Sequence, residues 1–329
     1  MTATKPLLEI GSKKDDLACL VCRKEQAYVY HIGVREDPEQ PVYLCGYCRL
    51  LYLDLADCPF TDDLRAYYRD QYRKDHELIP GQQLTAEERF HISHPLMEAS
   101  AKYFKEQVTP GTSVLEIGCS SGGFLAHLVD DYDCFGNEWN PDDAAFVRDV
   151  GEIPCEEGYL EDIYPGKTFG AIVAIQVLEH VPDPVGWLKT IRTKLIGGGS
   201  LYLEVPNAND ILVSAYPSSE YKQFWYRQPH LTYWNADVLA GAMTAMGFES
   251  RVSFFQRYSM WNHLQWLMLG TPMNDPIEAR SAKRPVPKDH PAAANINREW
   301  IRMDKQYRVM VESLLATDSL RVTAKRRDI

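Results

Sequence analysis

The sequence feature that most constrains the fold is a glycine-rich stretch, Thr112–Leu125, which reads TSVLEIGCSSGGFL. Within it, an apolar run broken by a single acid, Val114–Ile117, predicts a short buried strand. Gly118, Gly122 and Gly123 follow directly and predict a tight turn before a helix, because glycine lets the backbone turn sharply and approach a ligand closely. A strand followed by such a turn indicates a nucleotide-like ligand, with an ordinary strand-to-helix corner as the alternative.

The spacing of the turn residues separates two kinds of nucleotide site. Dinucleotide-binding turns have the pattern G-x-G-x-x-G, whereas this turn reads Glu116-x-Gly118-x-Ser120-x-Gly122. The pattern resembles motif I of the class I S-adenosylmethionine (SAM) methyltransferases, E/D-x-G-x-G-x-G, with Ser120 in place of the middle glycine. The resemblance implies that these four residues bind SAM, and it disfavours the alternative of an NAD-dependent oxidoreductase.

Two later segments agree with this resemblance in their order and character. Asp133–Glu138 predicts a second strand whose last residue lies 20 positions after Gly118, where a doubly wound sheet places an acid against ribose hydroxyls. Phe169–Ile175 is a nearly continuous apolar run, which is typical of a strand buried on both faces. It leads into Glu179 and His180, and this pair resembles the Glu-His signature that follows the fourth strand of the same methyltransferases.

The resemblance implies an α/β fold with a Rossmann-like, seven-stranded methyltransferase sheet, in which six strands are parallel and the last is antiparallel. The antiparallel strand corresponds to the closing segment Ala316–Ala324. In the family, a loop after the third strand presents backbone and apolar side chains to adenine. The remaining residues that the resemblance assigns to the cofactor are Trp139, Tyr159, Leu160 and Gln176.

Four of the eight cysteines form two C-x₂-C pairs near the N-terminus, Cys19 with Cys22 and Cys45 with Cys48. Two such pairs present four thiolates to one tetrahedral ion and leave no open position for catalysis. The spacing therefore predicts a structural Zn²⁺ ion in a small N-terminal zinc-binding module. Four buried or reactive cysteines without a metal are the alternative, which the paired spacing disfavours.

The chain of 329 residues is long enough for about two domains, and we predict three segments within it. Residues 1–60 form the zinc-binding module, residues 61–108 a helical lid and linker, and residues 109–329 the methyltransferase domain. The last of these carries a helical insertion around 256–315. In similar methyltransferases the helices before motif I close over SAM, so the tyrosines of the second segment are candidate lid residues, with core packing as the alternative.

The charge balance bears on the partners of the protein. With 46 acidic and 35 basic side chains, the chain carries a net charge of −11, which repels a phosphate backbone and disfavours a nucleic-acid substrate. No apolar run approaches the ~20 residues that a membrane span needs, and the first residues lack the apolar core of a signal peptide. We therefore expect a cytoplasmic protein that acts on a small molecule and has no membrane partner.

Methyl transfer is an in-line displacement, so the protein mainly has to align donor and acceptor. A hydroxyl or a carbon acid also requires a proton acceptor, for which histidine is usual at neutral pH, whereas an amine needs none. Three histidines are candidates: His180 after the fourth strand, His230 after the fifth, and His263 further along the chain. We predict that His230 is the base, because it follows the fifth strand on the ligand face. Glu179 and Glu204 are the candidate orienting carboxylates, with a structural role as the alternative for Glu204.

The segments after the fifth strand supply the predicted acceptor site, with Tyr233, Arg257, Tyr258 and Asn262 as its candidates. Arg257 presents a planar fork that suits phosphate or carboxylate. The stretch around it resembles zinc-knuckle methyltransferases of sugar and surface-polysaccharide pathways. This implies C- or O-methylation of a sugar or nucleotide-sugar in polysaccharide or secondary-metabolite biosynthesis. An RNA methyltransferase and a non-catalytic SAM-binding interaction module are the alternatives that stay open.

Overall fold

The computed structural model describes residues 10–79, 81–216 and 218–327. Residues 1–9 of the predicted zinc-binding module lie outside the described residues. The described chain forms two sheets. Their strands are β1 (Lys13–Lys14), β2 (Ala27–Ile32), β3 (Pro41–Cys45), β4 (Leu51–Tyr52), β5 (Ser113–Ile117), β6 (Asp133–Asn137), β7 (Cys155–Glu156), β8 (Phe169–Ile175), β9 (Leu195–Pro206), β10 (Thr232–Tyr233), β11 (Phe248–Phe255) and β12 (Ser319–Arg326).

Helices cover the sheets and connect their strands. They are α1 (Leu64–Ala66), α2 (Tyr72–Asp75), α3 (Ala86–Lys105), α4 (Pro141–Asp149), α5 (Pro184–Lys194), α6 (Ile211–Ser214), α7 (Ser219–Trp225), α8 (Ala236–Ala245), α9 (Met260–Leu269), α10 (Pro276–Arg280) and α11 (Ala293–Ser313). A π-helical turn, Tyr67–Gln71, joins α1 to α2. Among the described residues, no helix is both long enough and apolar enough to span a bilayer.

The larger sheet has seven strands in the order β11-β12-β9-β8-β5-β6-β7. β12 runs antiparallel to both of its neighbours, and the strands from β9 to β7 pair in parallel. The predicted seven-stranded Rossmann-like sheet, with an antiparallel last strand, is therefore confirmed. The strand order reverses beside β5, since β6 lies on one side of it and β8 on the other, and ligands of such sheets bind outside the carboxyl ends at this point.

The central strands are almost wholly apolar because both faces of the sheet are buried. Ile172 and Ala174 of β8 contribute to one hydrophobic cluster, whereas Val173 and Ile175 contribute to the cluster on the opposite face. Successive side chains of a strand point to opposite faces, so a strand covered on both sides has no place for polar alternation. The predicted strand Phe169–Ile175 coincides with β8.

The smaller sheet has five strands in the order β1-β2-β3-β4-β10. It therefore joins the N-terminal segment to a strand from the second half of the chain. β10 pairs antiparallel with β4, which sets Thr232 opposite Tyr52 and Tyr233 opposite Leu51. The proposed domain boundaries stay a prediction, but the hydrogen bonding of the N-terminal sheet continues directly into the loop that carries His230.

Candidate active site

A cleft of about 720 Å³ opens at the carboxyl ends of β5, β6 and β8. Its wall contains eight of the nine residues predicted to bind the cofactor, namely Glu116, Gly118, Ser120, Glu138, Trp139, Tyr159, Leu160 and Gln176. Gly122, the ninth, belongs to the same turn but not to the wall. Its φ is +81°, and a Cβ there would lie 3.1 Å from Val147 Cγ2, so Gly122 serves the close packing of the turn on α4.

The turn after β5 has positive φ at Gly118 and Ser120 as well as at Gly122. Gly118 has a φ of +67°, and a Cβ there would lie 2.8 Å from Val177 Cγ2, so a larger residue would force the turn to shift. Ser120 has a φ of 49°, a conformation that residues with a side chain rarely adopt. Glycine takes this conformation without strain, which explains why motif I has a glycine at this position. Ser120 takes the same conformation at a cost in backbone strain.

Glu138, immediately after β6, holds this turn in place. Its Oε2 accepts a hydrogen bond from the Ser120 backbone N–H at 2.8 Å, and its Oε1 accepts one from the Asn140 backbone N–H at 2.8 Å. Burial raises the pKa of Glu138, and the charge of Arg73 acts in the opposite direction. Because each carboxylate oxygen has a second lone pair, Glu138 can accept ribose hydroxyls while it anchors the turn.

Three polar side chains in the cleft wall have buried atoms without a hydrogen-bond partner among the described residues. These atoms are Oε2 of Glu116 on β5, Nε2 of Gln176 after β8 and Nε of Arg280 at the end of α10. Burial raises the pKa of Glu116 well above its usual value. Gln176 also has a φ of 56°, and backbone strain of this kind is concentrated at ligand sites. Since buried polar groups are nearly always paired, these atoms indicate that a polar ligand completes the cleft.

The opposite end of the cofactor region is aromatic. The rings of Trp139 and Tyr159 meet edge to face, with 5.1 Å between their centroids. Trp139 Nε1 donates to the Gly158 carbonyl at 2.5 Å, which fixes the indole. Leu160 is only 4% exposed and continues this surface. The three side chains form an apolar, aromatic wall of the kind that packs against a planar base.

The segment before α3 covers the cleft, and we call residues 64–79 the lid. Tyr68, Tyr72 and Arg73 of the lid lie in the cleft wall. Arg73 donates to Ser120 Oγ at 2.6 Å and to Asp143 Oδ2 at 3.0 Å. It therefore fastens the lid to the turn after β5 and to α4. Sequence reasoning missed Arg73, because a single arginine in a charged segment has no spacing that distinguishes it.

Arg73→Gln should weaken SAM binding at least about tenfold, because it removes hydrogen bonds to a charged donor that contribute roughly 1.5–3 kcal/mol each. Calorimetry measures the affinity, and hydrogen exchange of the lid amides should show lost protection. Arg69→Gln is the matched control, since the Arg69 side chain is 50% exposed and lies 3.6 Å from its neighbour Asp70. Equal SAM affinity in the two variants would contradict the assignment of Arg73.

Three of the four residues predicted to be catalytic lie together, and we call Glu179, His180 and His230 the Glu–His group. One carboxyl oxygen of Glu179 and one ring nitrogen of each histidine all lie within 4.8 Å of one another. The rings of His180 and His230 are perpendicular, with 4.8 Å between their centroids. The Tyr68 hydroxyl lies 2.9 Å from His180 Nδ1. His180 and Tyr68 belong to the cleft wall, so the group adjoins the cleft through His180.

Burial dominates the electrostatics of the Glu–His group. It lowers the pKa of His180 to about 3 and the pKa of His230 well below its usual value. Both imidazoles are therefore neutral at pH 7 and able to accept a proton. Glu179 is 0% exposed, and its two carboxyl oxygens have no hydrogen-bond partner among the described residues. Burial raises the pKa of Glu179 to about 8. Perturbed groups that converge beside a cleft are typical of a proton-transfer site.

The structure does not bring the fourth predicted catalytic residue, His263, to the cleft wall. His263 is 2% exposed, with Nδ1 lying 2.7 Å from the Tyr307 hydroxyl and Nε2 lying 3.2 Å from Gln256 Nε2. Both ring nitrogens are thus engaged, one by Tyr307 of α11 and one by Gln256 directly after β11. These contacts hold the helical insertion together, and the candidacy of His263 as a base stays a prediction.

Of the predicted acceptor residues, Arg257 lies in the cleft wall, but its charge is already compensated. Its guanidinium forms an ion pair with the fully buried Glu204, which also accepts from Arg321 Nε at 3.0 Å. Burial raises the pKa of Glu204, but the two arginines outweigh this and hold it below its usual value. Arg257 therefore compensates a buried acid, and its predicted contact with an anionic acceptor stays a prediction.

Tyr233, Tyr258 and Asn262 are not part of the cleft wall. Tyr233 is 1% exposed, and its hydroxyl accepts from the Arg227 backbone N–H at 2.9 Å and donates to the Arg227 carbonyl at 3.0 Å. Asn262 is 3% exposed and accepts from the Met273 N–H at 3.2 Å. Tyr233 and Asn262 thus support nearby loops, and the contact of all three residues with the acceptor stays a prediction.

The four N-terminal cysteines form a compact cluster. Cys19 Sγ lies 3.6 Å from Cys48 Sγ, and Cys22 Sγ lies 3.5 Å from Cys45 Sγ. The sulfurs all lie within 4.8 Å of one another. Sulfurs arranged tetrahedrally at about 2.3 Å from a zinc ion would be about 3.8 Å apart, so the cluster has the dimensions of such a site.

The cysteine cluster is connected to the acceptor end of the cleft. Arg23, directly after the first cysteine pair, donates to Asp183 Oδ1 at 2.5 Å, and Asp183 belongs to the cleft wall. On the other side, β10 extends the cysteine-bearing sheet two residues after His230. The N-terminal sheet therefore supports the two loops that carry the Glu–His group.

The model of a family described as a methyltransferase domain matches residues 85–251, about half of the chain. The matched part contains the turn after β5, Glu138 and the Glu–His group. The chain therefore belongs to the methyltransferase domain family, in the class of the SAM-dependent methyltransferases. Among curated proteins, it is similar to the ubiquinone biosynthesis O-methyltransferase of Coxiella burnetii, with 27% identity over 127 residues that cover 35% of this chain and 53% of that protein. The chain thus spans about half the length of the curated relatives it matches.

Solved structures with a similar fold include a SAM-dependent methyltransferase from Archaeoglobus fulgidus, at 16% identity and a TM-score of 0.48, covering 73% of this chain and 97% of that chain. Phosphoethanolamine N-methyltransferase 2 of Haemonchus contortus, in complex with SAM, is similar at 13% identity and a TM-score of 0.49, covering 79% of this chain and 60% of that chain. At these TM-scores neither likeness bears on the acceptor, and the family membership rests on the family model.

Proposed function

We propose that this protein transfers the methyl group of SAM to an oxygen or carbon atom of a small-molecule acceptor, a sugar or a nucleotide-sugar. The observation that carries the proposal is the continuity of one cleft, from the turn after β5 to His180. A relative named as an O-methyltransferase supports oxygen as an acceptor atom. The sugar is supported by the resemblance of the cysteine pairs and of the stretch around Arg257 to sugar-modifying methyltransferases.

The residues of the cleft fit the parts of SAM. In this proposal Glu138 accepts the ribose hydroxyls, and the aromatic wall packs against adenine. Glu116 and Gln176 offer buried polar atoms, without partners in the described chain, to the amino-acid end of the cofactor. SAM bound there supplies an electrophilic methyl group on its sulfonium. The contribution of the chain is alignment, which on its own accounts for much of the rate of such a displacement.

Glu138→Gln should weaken the binding of SAM and of its demethylated product at least about tenfold, because the amide cannot accept at both positions that anchor the turn and the ribose. Calorimetry measures both affinities. Glu249→Gln is the control, because this glutamate of β11 is 76% exposed. If wild-type protein released no heat with either ligand, and Glu138→Gln behaved like wild type, the methyl-transfer proposal would be lost.

The Glu–His group is the proposed proton acceptor for a hydroxyl or carbon-acid substrate. His180 lies at the cleft wall, His230 packs on it, and Glu179 is adjacent to both. His180 would accept the proton at the cleft wall, and the predicted base, His230, packs against its ring. Because both imidazoles are neutral at pH 7, they need no prior deprotonation.

We also propose one structural Zn²⁺ ion bound by Cys19, Cys22, Cys45 and Cys48. The sulfur spacing supports it, and all four thiolates are used in a closed site with no open position for substrate. The chemistry of the ion would be structural, since it would join the two cysteine turns of the N-terminal sheet and hold Arg23 toward Asp183.

A labelled-methyl assay on small-molecule and RNA fractions tests the acceptor class. Label in a sugar or nucleotide-sugar fraction supports the proposal. Label in RNA, with an affinity that falls steeply with salt, would replace it by an RNA methyltransferase. SAM binding without label in any fraction would indicate a non-catalytic SAM-binding module.

A further inference from the structure

Arg227, a partly exposed arginine outside the cleft wall, has two buried donors without a partner in the described chain and lies beside His230. Arg227 follows α7, in the loop that leads to β10. Its Nε and Nη2 atoms are buried and have no hydrogen-bond partner among the described residues. A charged donor left in this state costs more than the roughly 1–3 kcal/mol of an unpaired neutral group. The sequence analysis did not single out Arg227.

The two unpaired atoms form one edge of the guanidinium. The Nε–H and Nη2–H bonds of an arginine point the same way, and together they match two oxygens of a carboxylate or a phosphate. The neighbouring Arg35 shows the contrast, because its Nε and Nη2 both donate to the Phe224 carbonyl, at 2.8 Å and 2.5 Å. The edge of Arg35 is thus used within the fold, whereas the edge of Arg227 is left for a ligand.

The backbone of Arg227 is held firmly beside the Glu–His group. The Tyr233 hydroxyl contacts both its N–H and its carbonyl, and the His230 N–H donates to the same carbonyl at 3.1 Å. The loop therefore forms a tight turn from Arg227 to His230. Tyr233 acts as a positioning residue for Arg227, which accounts for its burial.

The surroundings of Arg227 carry an excess of positive charge. Burial and then the charge of Arg227 lower the pKa of Arg35 to about 10, and the same two causes lower the pKa of His76 to about 3. Glu36, an acid in this region, already accepts from the Gln228 N–H at 2.8 Å. Glu179, with a pKa of about 8, is mostly protonated at pH 7. Two guanidinium groups therefore lie near neutral imidazoles and near Glu36, whose Oε2 is already engaged by the Gln228 N–H, and this favours an anion.

We infer that the Nε–Nη2 edge of Arg227 binds an oxyanion of the methyl acceptor, a phosphate or a carboxylate, while the methyl-accepting atom lies beside His180. This inference rests on the proposed methyl-transfer function, because one acceptor has to reach both residues. The Tyr68–His180 contact of 2.9 Å stands at the boundary between the cleft and this region. His180 belongs to the cleft wall and Arg227 does not, so the acceptor has to extend past His180 to reach the guanidinium edge.

The test uses the full-length protein saturated with the demethylated product of SAM. Inorganic phosphate and acetate are titrated by calorimetry at constant ionic strength set with chloride. Arg227→Lys keeps the charge but lacks the two-donor edge, and it should weaken phosphate or acetate binding at least about tenfold. Tyr233→Phe should weaken it less, because it only loosens the position of Arg227. Arg302→Lys is the matched control, since Arg302 is 61% exposed.

The possible outcomes distinguish a failure of the role of Arg227 from a failure of the proposed methyl-transfer function. Phosphate as the tighter anion points to a phosphorylated or nucleotide-linked acceptor, and acetate as the tighter one points to an acidic sugar or another carboxylate. Wild-type binding that Arg227→Lys leaves unchanged, or no anion binding at all, would overturn the role of Arg227. If the wild-type protein failed to bind the demethylated product itself, the methyl-transfer proposal would fail instead. Should Arg227→Lys not fold, the test rests on Tyr233→Phe, which should bind phosphate or acetate more weakly than wild type does.

Discussion

Cys45→Ser is expected to reduce the zinc content from about one ion per chain to almost none, and to lower the melting temperature by about 10 °C or more. The reason is that a closed four-sulfur site loses much of its affinity with one ligand, and the binding free energy of a structural ion is folding free energy. Because β10 belongs to the same sheet, the loss should also disturb the loop of His230. Turnover should therefore fall more than SAM affinity does.

Cys58→Ser is the matched control for this change. Cys58 is also 0% exposed and lies in the same segment, but its sulfur contacts Gln40 Nε2 at 3.2 Å and is not part of the four-sulfur cluster. We expect it to cost about 1–3 kcal/mol of folding free energy, as a buried polar substitution does, with the zinc content unchanged. Metal analysis of reduced, unchelated protein and thermal unfolding measure both effects. Wild-type protein without zinc would contradict the proposed site.

His230→Ala and His180→Ala are each expected to lower kcat about 100-fold or more with SAM affinity unchanged, if the acceptor is a hydroxyl or a carbon acid. His263→Ala is the control, because this imidazole is buried among Gln256 and Tyr307 away from the cleft wall. It should affect stability rather than kcat. Full turnover in both His180→Ala and His230→Ala would indicate an amine acceptor, which needs no base.

The pH dependence of kcat should differ from that of an ordinary histidine base. Burial lowers the pKa of His180 to about 3 and the pKa of His230 well below its usual value. Neither imidazole should therefore give the pH–rate profile a limb near pH 6.5. Ionised Glu179 stabilises the imidazolium that forms during the reaction, so kcat should rise as pH passes about 8, the pKa of Glu179. Glu179→Gln should lower kcat and remove this limb. A limb near pH 6.5, or the same limb in Glu179→Gln, would contradict this arrangement.

The same carboxyl gives folding stability a pH dependence of defined sign. Its pKa is raised from 4.5 to about 8 on folding, so between these values the folded state holds a proton that the unfolded state has released. Stability contributed by Glu179 is therefore present below pH 4.5 and is lost as pH rises through about 8. Denaturant unfolding of Glu179→Gln should show a smaller loss across this range than wild type.

Much of the cofactor half of the site was predictable because its residues follow one another along the chain. The turn after β5 requires glycine at Gly118, where φ is positive and a Cβ would contact Val177. The acid after β6 stands at a fixed distance along the chain from that turn. The cysteine pairs were recognisable for the same reason, since two thiolates three positions apart bring a ligand pair to one ion.

The acceptor half was not predictable in the same way, because its charges are set by partners far away in sequence. Arg257 is neutralised by Glu204, and His263 is held by Tyr307, which is 44 positions distant. Conversely, Arg73 and Arg227 have no motif around them. The role of Arg73 depends on its hydrogen bonds to Ser120 and Asp143, which are distant in sequence. The paired donors of Arg227 can be recognised only from the structure, because it shows that both atoms are buried and have no hydrogen-bond partner in the described chain.

The amino-acid sequence by itself determined the kind of sheet, the cofactor turn, the cysteine pairs and the Glu-His signature after β8, because these depend on local backbone conformation, on alternation along a strand and on short spacings. The tertiary structure alone decided which charged side chains remain available for a ligand. The free energy of a buried charge depends on whether a partner from another segment lies within hydrogen-bonding distance. Arg227 lies between α7 and β10, and its two-donor edge has no hydrogen-bond partner among the described residues.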